Sequence, residues 1–434
     1  MHFRFTRRYF SAALIALAAM TAVALPVSAQ SAGLPVIHVE HGPNSAAALK
    51  QHYVVLVSLD GFRWDYPALY GAPNLLALGK EGVRAPQGMI PGFPSLTFPN
   101  HYTIVTGLYP EHHGLVANSF YDAKKQARYA ISDAQAVAEG SWYGGVPLWS
   151  LAESQGMRTA CFFWPGSEAE IAGQRPAYYM HFDDKIDPEA RIHQVIEWLK
   201  MPEAERPHFI TLYFSSPDHE GHKFGPGAPE TRDAVLRVDG YIGQLKSELN
   251  KLGLPIDLVV VSDHGMAKIE GGWITLDEYA DLSGFETDGA LLYGKTEADK
   301  QRVYEQLKKA SGKFLVYRLK DVPPELNFNL NERTGDPVVI PTGPYAVRAH
   351  GPQAGKPDHP PIAGSHGFDP HKMPDMKASF YAAGPDIVAG KTVEPFENVN
   401  LYPWLAHLLG LKAPKTDGSL NVLAGTLRDG GAEK

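Results

Sequence analysis

The chain of 434 residues is 44% hydrophobic and 20% charged, a globular composition with length for a large core in one or two domains. A net charge of −8 excludes the overall basic field that nucleic-acid or anionic-membrane binding calls for, although local positive charge can still come from metal ions. The one cysteine, Cys161, excludes an intramolecular disulfide; within Thr159-Ala160-Cys161-Phe162-Phe163-Trp164 it reads as a small buried hydrophobe.

Arg4, Arg7 and Arg8 form a basic start, residues 10–26 are mostly Ala, Leu, Ile and Val, and Val27-Ser28-Ala29 supplies small residues before a cleavage point near Gln30. This is the pattern of a secretory signal peptide over residues 1–29, with an apolar run short for a membrane span. The protein is therefore expected to be exported, periplasmic or secreted, with residues 30–434 as the folded part and no membrane span after the signal is removed. An uncleaved anchor is the bland alternative.

Residues 53–59 are a continuous apolar run ending at Asp60-Gly61, the signature of a strand buried on both faces of a parallel sheet. Residues 74–80 read as a short helix ending near Gly82. A second helix starts at Thr97, with Pro99 tolerated in its first turn and Gly107 as its stop. A helix is expected over 146–155, with Pro147 in its first turn and Gly156 beyond its end. Then come a strand at 158–163, a helix over 188–201 and a buried strand at 208–214 leading to Asp218. A long amphipathic helix over 229–252 carries Val235, Leu236, Val238, Ile242, Leu245 and Leu249 on its apolar face. Residues 256–262 form a further buried strand ending in Asp263-His264-Gly265. From about 271 to 361 turn residues and short alternating segments predominate, which reads as a small inserted α+β subdomain. The main pattern resumes with His366, a strand at 378–382 and a helix over 401–409 stopped by Gly410. Strands alternating with helices predict an α/β three-layer sandwich around a mainly parallel sheet.

Acidic or histidine clusters follow three of these strands: Asp60; Asp218-His219-Glu220-Gly221-His222; and Asp263-His264. His366, in Gly364-Ser365-His366-Gly367, is a fourth. Ligand sites in open α/β sheets collect at the carboxyl ends of strands, so these groups are placed to converge. Asp and His together suit zinc, and six such groups are enough for two ions. A two-metal pair suits phosphoryl transfer, because it holds both the attacking and the leaving oxygen. Thr97 alone would read as a helix N-cap, and each aspartate alone as a turn residue. A hydroxyl at a helix N-terminus beside four such clusters reads as a nucleophile, where the dipole and unpaired N–H groups favour a phosphate. His112, His113, His219 and His371 read as bystanders.

These residues fall in motifs that resemble the nucleotide pyrophosphatase/phosphodiesterases of the alkaline phosphatase superfamily. The motifs are Ser58-Leu59-Asp60-Gly61-Phe62-Arg63, Thr97-Phe98-Pro99-Asn100-His101-Tyr102, Gly107-Leu108-Tyr109-Pro110, Asn118, Phe163-Trp164-Pro165-Gly166, Pro217-Asp218 with Gly221-His222, Ser262-Asp263-His264-Gly265-Met266, and His366-Gly367-Phe368-Asp369. The resemblance implies an alkaline-phosphatase-like fold in a bacterial single-domain member with two zinc ions. Asp218, His222 and His366 would hold one ion; Asp60, Thr97, Asp263 and His264 would hold the other. It implies that Thr97, activated by its zinc, attacks phosphorus and forms a phospho-threonine that water then hydrolyses, with Asn118 and a backbone N–H steadying the charged oxygen. Phe98 and Tyr213, with Trp164 in support, would line the nucleoside pocket; core packing is the alternative fate of each ring. The implied substrates are small nucleotides, namely nucleoside triphosphates, dinucleotides and phosphodiesters, with no stable nucleic-acid partner. The chain departs from several animal relatives at Leu96 and at Gly144-Gly145, where those carry lysine.

Other readings stay open. A choline-phospholipid phosphodiesterase shares the motifs, and a phosphomonoesterase shares the superfamily, although Thr97 and Phe98-Pro99-Asn100 argue against the latter. The non-enzyme alternative is an exported binding protein with an inactive site.

Overall fold

The computed structural model describes residues 33–310, 312–351 and 362–432. The expected signal peptide, 1–29, lies outside the described residues, as does 352–361 at the end of the expected insertion. Among the described residues no helix is long and apolar enough to cross a membrane.

Among the described residues, nine strands build the central sheet: β1 (Ile37–His38), β2 (Tyr53–Leu59), β3 (Val83–Arg84), β4 (Thr159–Phe162), β5 (Tyr178–Tyr179), β6 (Phe209–Phe214), β7 (Ile256–Val261), β8 (Phe380–Ala383) and β9 (Lys391–Thr392). Their order is β1-β5-β4-β6-β2-β7-β8-β3-β9. The block from β5 to β7 is parallel. β1 pairs antiparallel with β5, and β8 runs antiparallel to both β7 and β3, so the sheet is mixed at its flanks. The parallel block is where continuous apolar runs occur. All seven residues of β2 and all six of β6 are buried, as a strand covered on both faces requires.

Helices cover both faces. On one, α2 (Thr97–Thr106), α3 (Leu148–Ser154) and α8 (Leu401–Leu408) join the cluster that includes Val54, Leu56, Cys161, Phe209 and Val259. On the other, α6 (Pro229–Lys251) packs against α1 (Pro73–Glu81), α4 (Pro188–Leu199) and α5 (Asp218–Phe224). The buried Asp239 carboxylate of α6 accepts the Asn74 and Leu75 N–H groups at 3.1 and 2.8 Å, which ties α6 to the first turn of α1. Two local expectations shift. Leu236 is exposed, because it follows Val235 by only 100° around α6 and falls outside the stripe of Val235, Val238, Ile242 and Leu245. Pro147 is the extended residue before α3 rather than part of its first turn.

Between β7 and β8, residues 274–349 gather a second apolar cluster around Ile274, Leu292, Val303, Leu307 and Phe314, with α7 (Glu297–Lys309) and two short antiparallel pairs. The strand Val338–Pro341 joins the two cores by its alternation: Val338 and Ile340 face the main core and Val339 the second.

Candidate active site

Three adjacent parallel strands, β6, β2 and β7, each lead into an aspartate: Asp60 directly after β2, Asp263 in the bend beyond β7, and Asp218 as the first residue of α5 beyond β6. Strand order alone therefore brings together carboxylates far apart in sequence, at the carboxyl edge where such sheets bind ligands. Gly61 permits the close approach. Its φ is +62°, and a Cβ there would lie 2.9 Å from the Asp218 side chain. His366 arrives differently from the sequence expectation. It follows the short strand Gly364–Ser365, which pairs antiparallel with Ala267–Lys268 just beyond Asp263-His264.

The imidazoles are held in one sense. The ring Nδ1 of His222 meets the Gly364 carbonyl, that of His264 the Gly265 carbonyl, and that of His366 the Ser95 carbonyl, each at 2.9 Å. An Nδ1–H donated to a carbonyl leaves Nε2 as a bare lone pair. Those lone pairs converge: His366 Nε2 and His222 Nε2 are 3.0 Å apart, and His264 Nε2 lies 3.0 Å from Asp263 Oδ2 and 3.3 Å from Thr97 Oγ1. Asp60 Oδ1, Asp218 Oδ1 and Asp263 Oδ2 are buried without a hydrogen-bond donor. Facing lone pairs and undonated carboxylate oxygens repel unless a cation sits among them, so the donor set fits metal ions. Among the described residues, three groups at this site have ligand atoms close enough to share an ion: Asp218 with His222 and His366, Asp60 with Asp218 and His264, and Asp60 with His101 and Asp263.

The ionisable groups shift one another: burial would lower the His264 imidazole, but Asp263 outweighs that and raises it. Burial, reinforced by Asp263 and Asp218, pushes the Asp60 carboxyl well above the usual range. Burial raises Asp218 too, against the pull of His222 and His264. Asp263 goes the other way: burial would raise it, but His264 and His101 outweigh that and hold it well below the usual range. Burial and the neighbouring His264 and His222 hold His366 neutral.

Thr97 is the first residue of α2, after Leu96 in extended backbone. Its backbone N–H belongs to the first turn, which has no intrahelical acceptors. Asn118 Oδ1 accepts the Phe98 N–H at 2.9 Å, which leaves the Asn118 Nδ2 donors for the cavity it lines. That cavity, about 810 Å³, is lined by Thr97, Phe98, Phe163, Trp164, Phe182 and Tyr213, and also by Glu168 and His181. Tyr213 donates its hydroxyl to Asp60 Oδ2 at 2.6 Å, and Trp164 donates its indole N–H to the His101 carbonyl at 3.1 Å. Of the site residues expected from the sequence, Asp60, Thr97, Phe98, Asn118, Trp164, Tyr213, Asp218, His222 and His366 line this cavity, and the buried Asp263 and His264 adjoin them at Thr97 and Asp60. His219, read there as a bystander, borders it too.

Sequence reasoning missed two residues. His101 sits under Thr97, its Nδ1 2.9 Å from the Thr97 carbonyl and 3.3 Å from Asp263 Oδ2, and its Nε2 2.8 Å from Ser58 Oγ. The signal was present: His101 is four residues after Thr97, one helical turn. Phe182 is a half-exposed ring (53%) at the mouth, edge-on to Phe163. Set between His181 and Asp183 in a loop, it carries no periodic signal.

Comparison with known proteins gives a consistent answer. Residues 54–369 match the family model for type I phosphodiesterase/nucleotide pyrophosphatase. The chain is 35% identical over 396 residues to an uncharacterized pyrophosphatase/phosphodiesterase of Schizosaccharomyces pombe, covering 87% of this chain and 80% of that protein. It is 32% identical over 405 residues to mouse ectonucleotide pyrophosphatase/phosphodiesterase family member 7, covering 89% and 90%. Among solved structures, an inactive form of murine ectonucleotide pyrophosphatase/phosphodiesterase 5 in complex with AMP superposes with a TM-score of 0.81 at 28% identity, over 87% of this chain and all of that one. These relatives are fungal and animal. The chain belongs to the type I phosphodiesterase/nucleotide pyrophosphatase family, with an alkaline-phosphatase-like α/β fold, and is a hydrolase acting on phosphodiesters.

Proposed function

We propose that the protein hydrolyses phosphodiester and pyrophosphate bonds of nucleotides to nucleoside 5′-monophosphates, with two zinc ions and Thr97 as nucleophile. The observation that carries this is the gathering of three imidazoles and three carboxylates, Asp60 and Asp263 buried and Asp218 part-buried, in one cluster whose His264 Nε2 reaches the Thr97 hydroxyl at 3.3 Å. Asp218, His222 and His366 would hold one ion, and Asp60, Asp263, His264 and Thr97 the other. When bound, the ions supply Lewis-acid stabilisation of phosphoryl charge and lower the pKa of a bound hydroxyl.

The chain's own groups account for the rest. Thr97 Oγ1, freed of its proton, forms a bond to phosphorus as the bond to the leaving oxygen breaks. Water then cleaves the phospho-threonine, and two in-line displacements give net retention. The Asn118 Nδ2 donors and the Thr97 N–H stabilise a non-bridging oxygen, aided by the positive end of the α2 dipole. Phe98 and Phe182 offer ring faces to a base, while Tyr213, tethered to Asp60, and Trp164 support that wall. Export, with residues 1–29 as the leader, belongs to the same reading.

A second reading is favoured by one feature. Glu168, at the cavity wall, adds a carboxylate to the aromatic rings, and that pairing also suits a quaternary ammonium head group. The discriminating experiment compares p-nitrophenyl-TMP, p-nitrophenyl phosphorylcholine, bis-p-nitrophenyl phosphate and p-nitrophenyl phosphate in zinc-supplemented buffer. The highest kcat/KM is expected on p-nitrophenyl-TMP. A preference for the choline ester would move the substrate class, and a preference for the monoester by several orders of magnitude would reject the phosphodiesterase reading.

A further inference from the structure

A second cavity, of about 350 Å³, meets the first at Asn118 and His366, which line both. The residues on either side of Thr97 divide between them: Phe98 lines the first cavity and Leu96 the second. Phe93, Val116, Leu291, Phe328 and Val347 complete its apolar walls, with the Phe93 and Phe328 rings edge-on at 5.1 Å. Among the described residues no lysine or arginine lines it. The Asp288 carboxylate at its edge already accepts the Ser119 hydroxyl at 2.7 Å and the Arg128 guanidinium at 3.0 Å.

We infer that this second cavity is the subsite for the leaving alcohol of a diester substrate, and that it takes an uncharged, apolar alcohol. This rests on the reading that Thr97 attacks phosphorus. A diester has two organic substituents on phosphorus, and a group attacked beside Asn118 and His366 has two cavities into which they can separate. The aromatic cavity with its polar lining residues suits a flat nucleoside. The other cavity offers hydrocarbon and no cation, so it favours burial of apolar surface over a second charged group. In the reaction the phosphorus–oxygen bond to that alcohol breaks, and the departing oxygen takes a proton from solvent and leaves as the free alcohol.

The test is a series of n-alkyl diesters of thymidine 5′-phosphate (methyl, ethyl, butyl, hexyl), assayed for release of thymidine 5′-monophosphate with zinc present. From ethyl upward the alcohols have nearly equal acidity, so leaving ability is constant and chain length reads the cavity. Full burial is worth about fourfold per methylene, and kcat/KM is expected to rise at least about tenfold from ethyl to hexyl. Leu291→Asn should bring the hexyl-to-ethyl ratio close to one, with an unchanged circular dichroism spectrum; Val347→Thr, which keeps the shape, should reduce it partly. A series that stays flat in the wild type while every ester is turned over overturns the subsite and leaves the phosphodiesterase reading standing. No hydrolysis of any member overturns both.

Discussion

Thr97 and His101 occupy one helical turn, yet their substitutions should fail in different ways. Thr97→Ala removes the oxygen that is to bond phosphorus and little else, since Thr97 is only part-buried and, among the described residues, its hydroxyl is in hydrogen-bond reach of His264 alone, at 3.3 Å. Its turnover should fall by at least about a thousandfold, as loss of a nucleophile does elsewhere. Zinc content and melting temperature should stay near wild type; full activity in this variant would end the covalent mechanism. His101 works through others. It links the Thr97 backbone to Asp263, so His101→Phe, which keeps the ring packed against Trp164, should weaken zinc binding by about 10- to 100-fold. Competition with a chromophoric chelator measures this, and wild-type zinc affinity in the variant would show that the His101 contact is only packing.

At the scale of elements, α2 and its continuation give a prediction about acid. His113, in the short turn after α2, is fully buried, with Nε2 3.0 Å from Thr103 Oγ1 and Nδ1 accepting the Leu115 N–H at 3.1 Å. Burial pushes its pKa from 6.5 down to about 3. The folded protein keeps this ring neutral while the unfolded chain takes up a proton below about pH 6.5. Stability is therefore present above that pH and is lost on acidification, by about 1.4 kcal/mol per pH unit down toward pH 3. Melting temperature should fall less steeply between about pH 6 and pH 4 in His113→Gln than in wild type; equal slopes would remove His113 from the account. Such a role is not legible in the sequence, where His112-His113 are two polar residues in a turn. The strands and long helices were legible, because β2, β6 and β7 are buried on both faces and only continuous apolar runs satisfy that. The two-residue strands β1, β3, β5 and β9 carry no pattern of their own and owe their existence to a neighbour's edge.

At the scale of the molecule, the site was legible where one rule applied: aspartates at or just beyond the carboxyl ends of neighbouring parallel strands end up side by side. It was illegible where the chain reaches the site by a loop, as for Phe182, or through a pairing that no periodicity announces, as for Gly364–Ser365 with Ala267–Lys268. The mixed flanks of the sheet were missed for the same reason, since β8 enters antiparallel through a long excursion rather than a helix crossover. Gathering the buried Asp60 and Asp263 beside the part-buried Asp218 opposes folding unless a cation offsets their charge, so chelation should lower the melting temperature and zinc should restore it. The most direct measurement is a titration of metal-stripped protein with zinc, followed by hydrolysis of p-nitrophenyl-TMP. Activity should be absent at the start, appear on addition and level off at two equivalents per chain. Full turnover in the stripped protein would contradict the account.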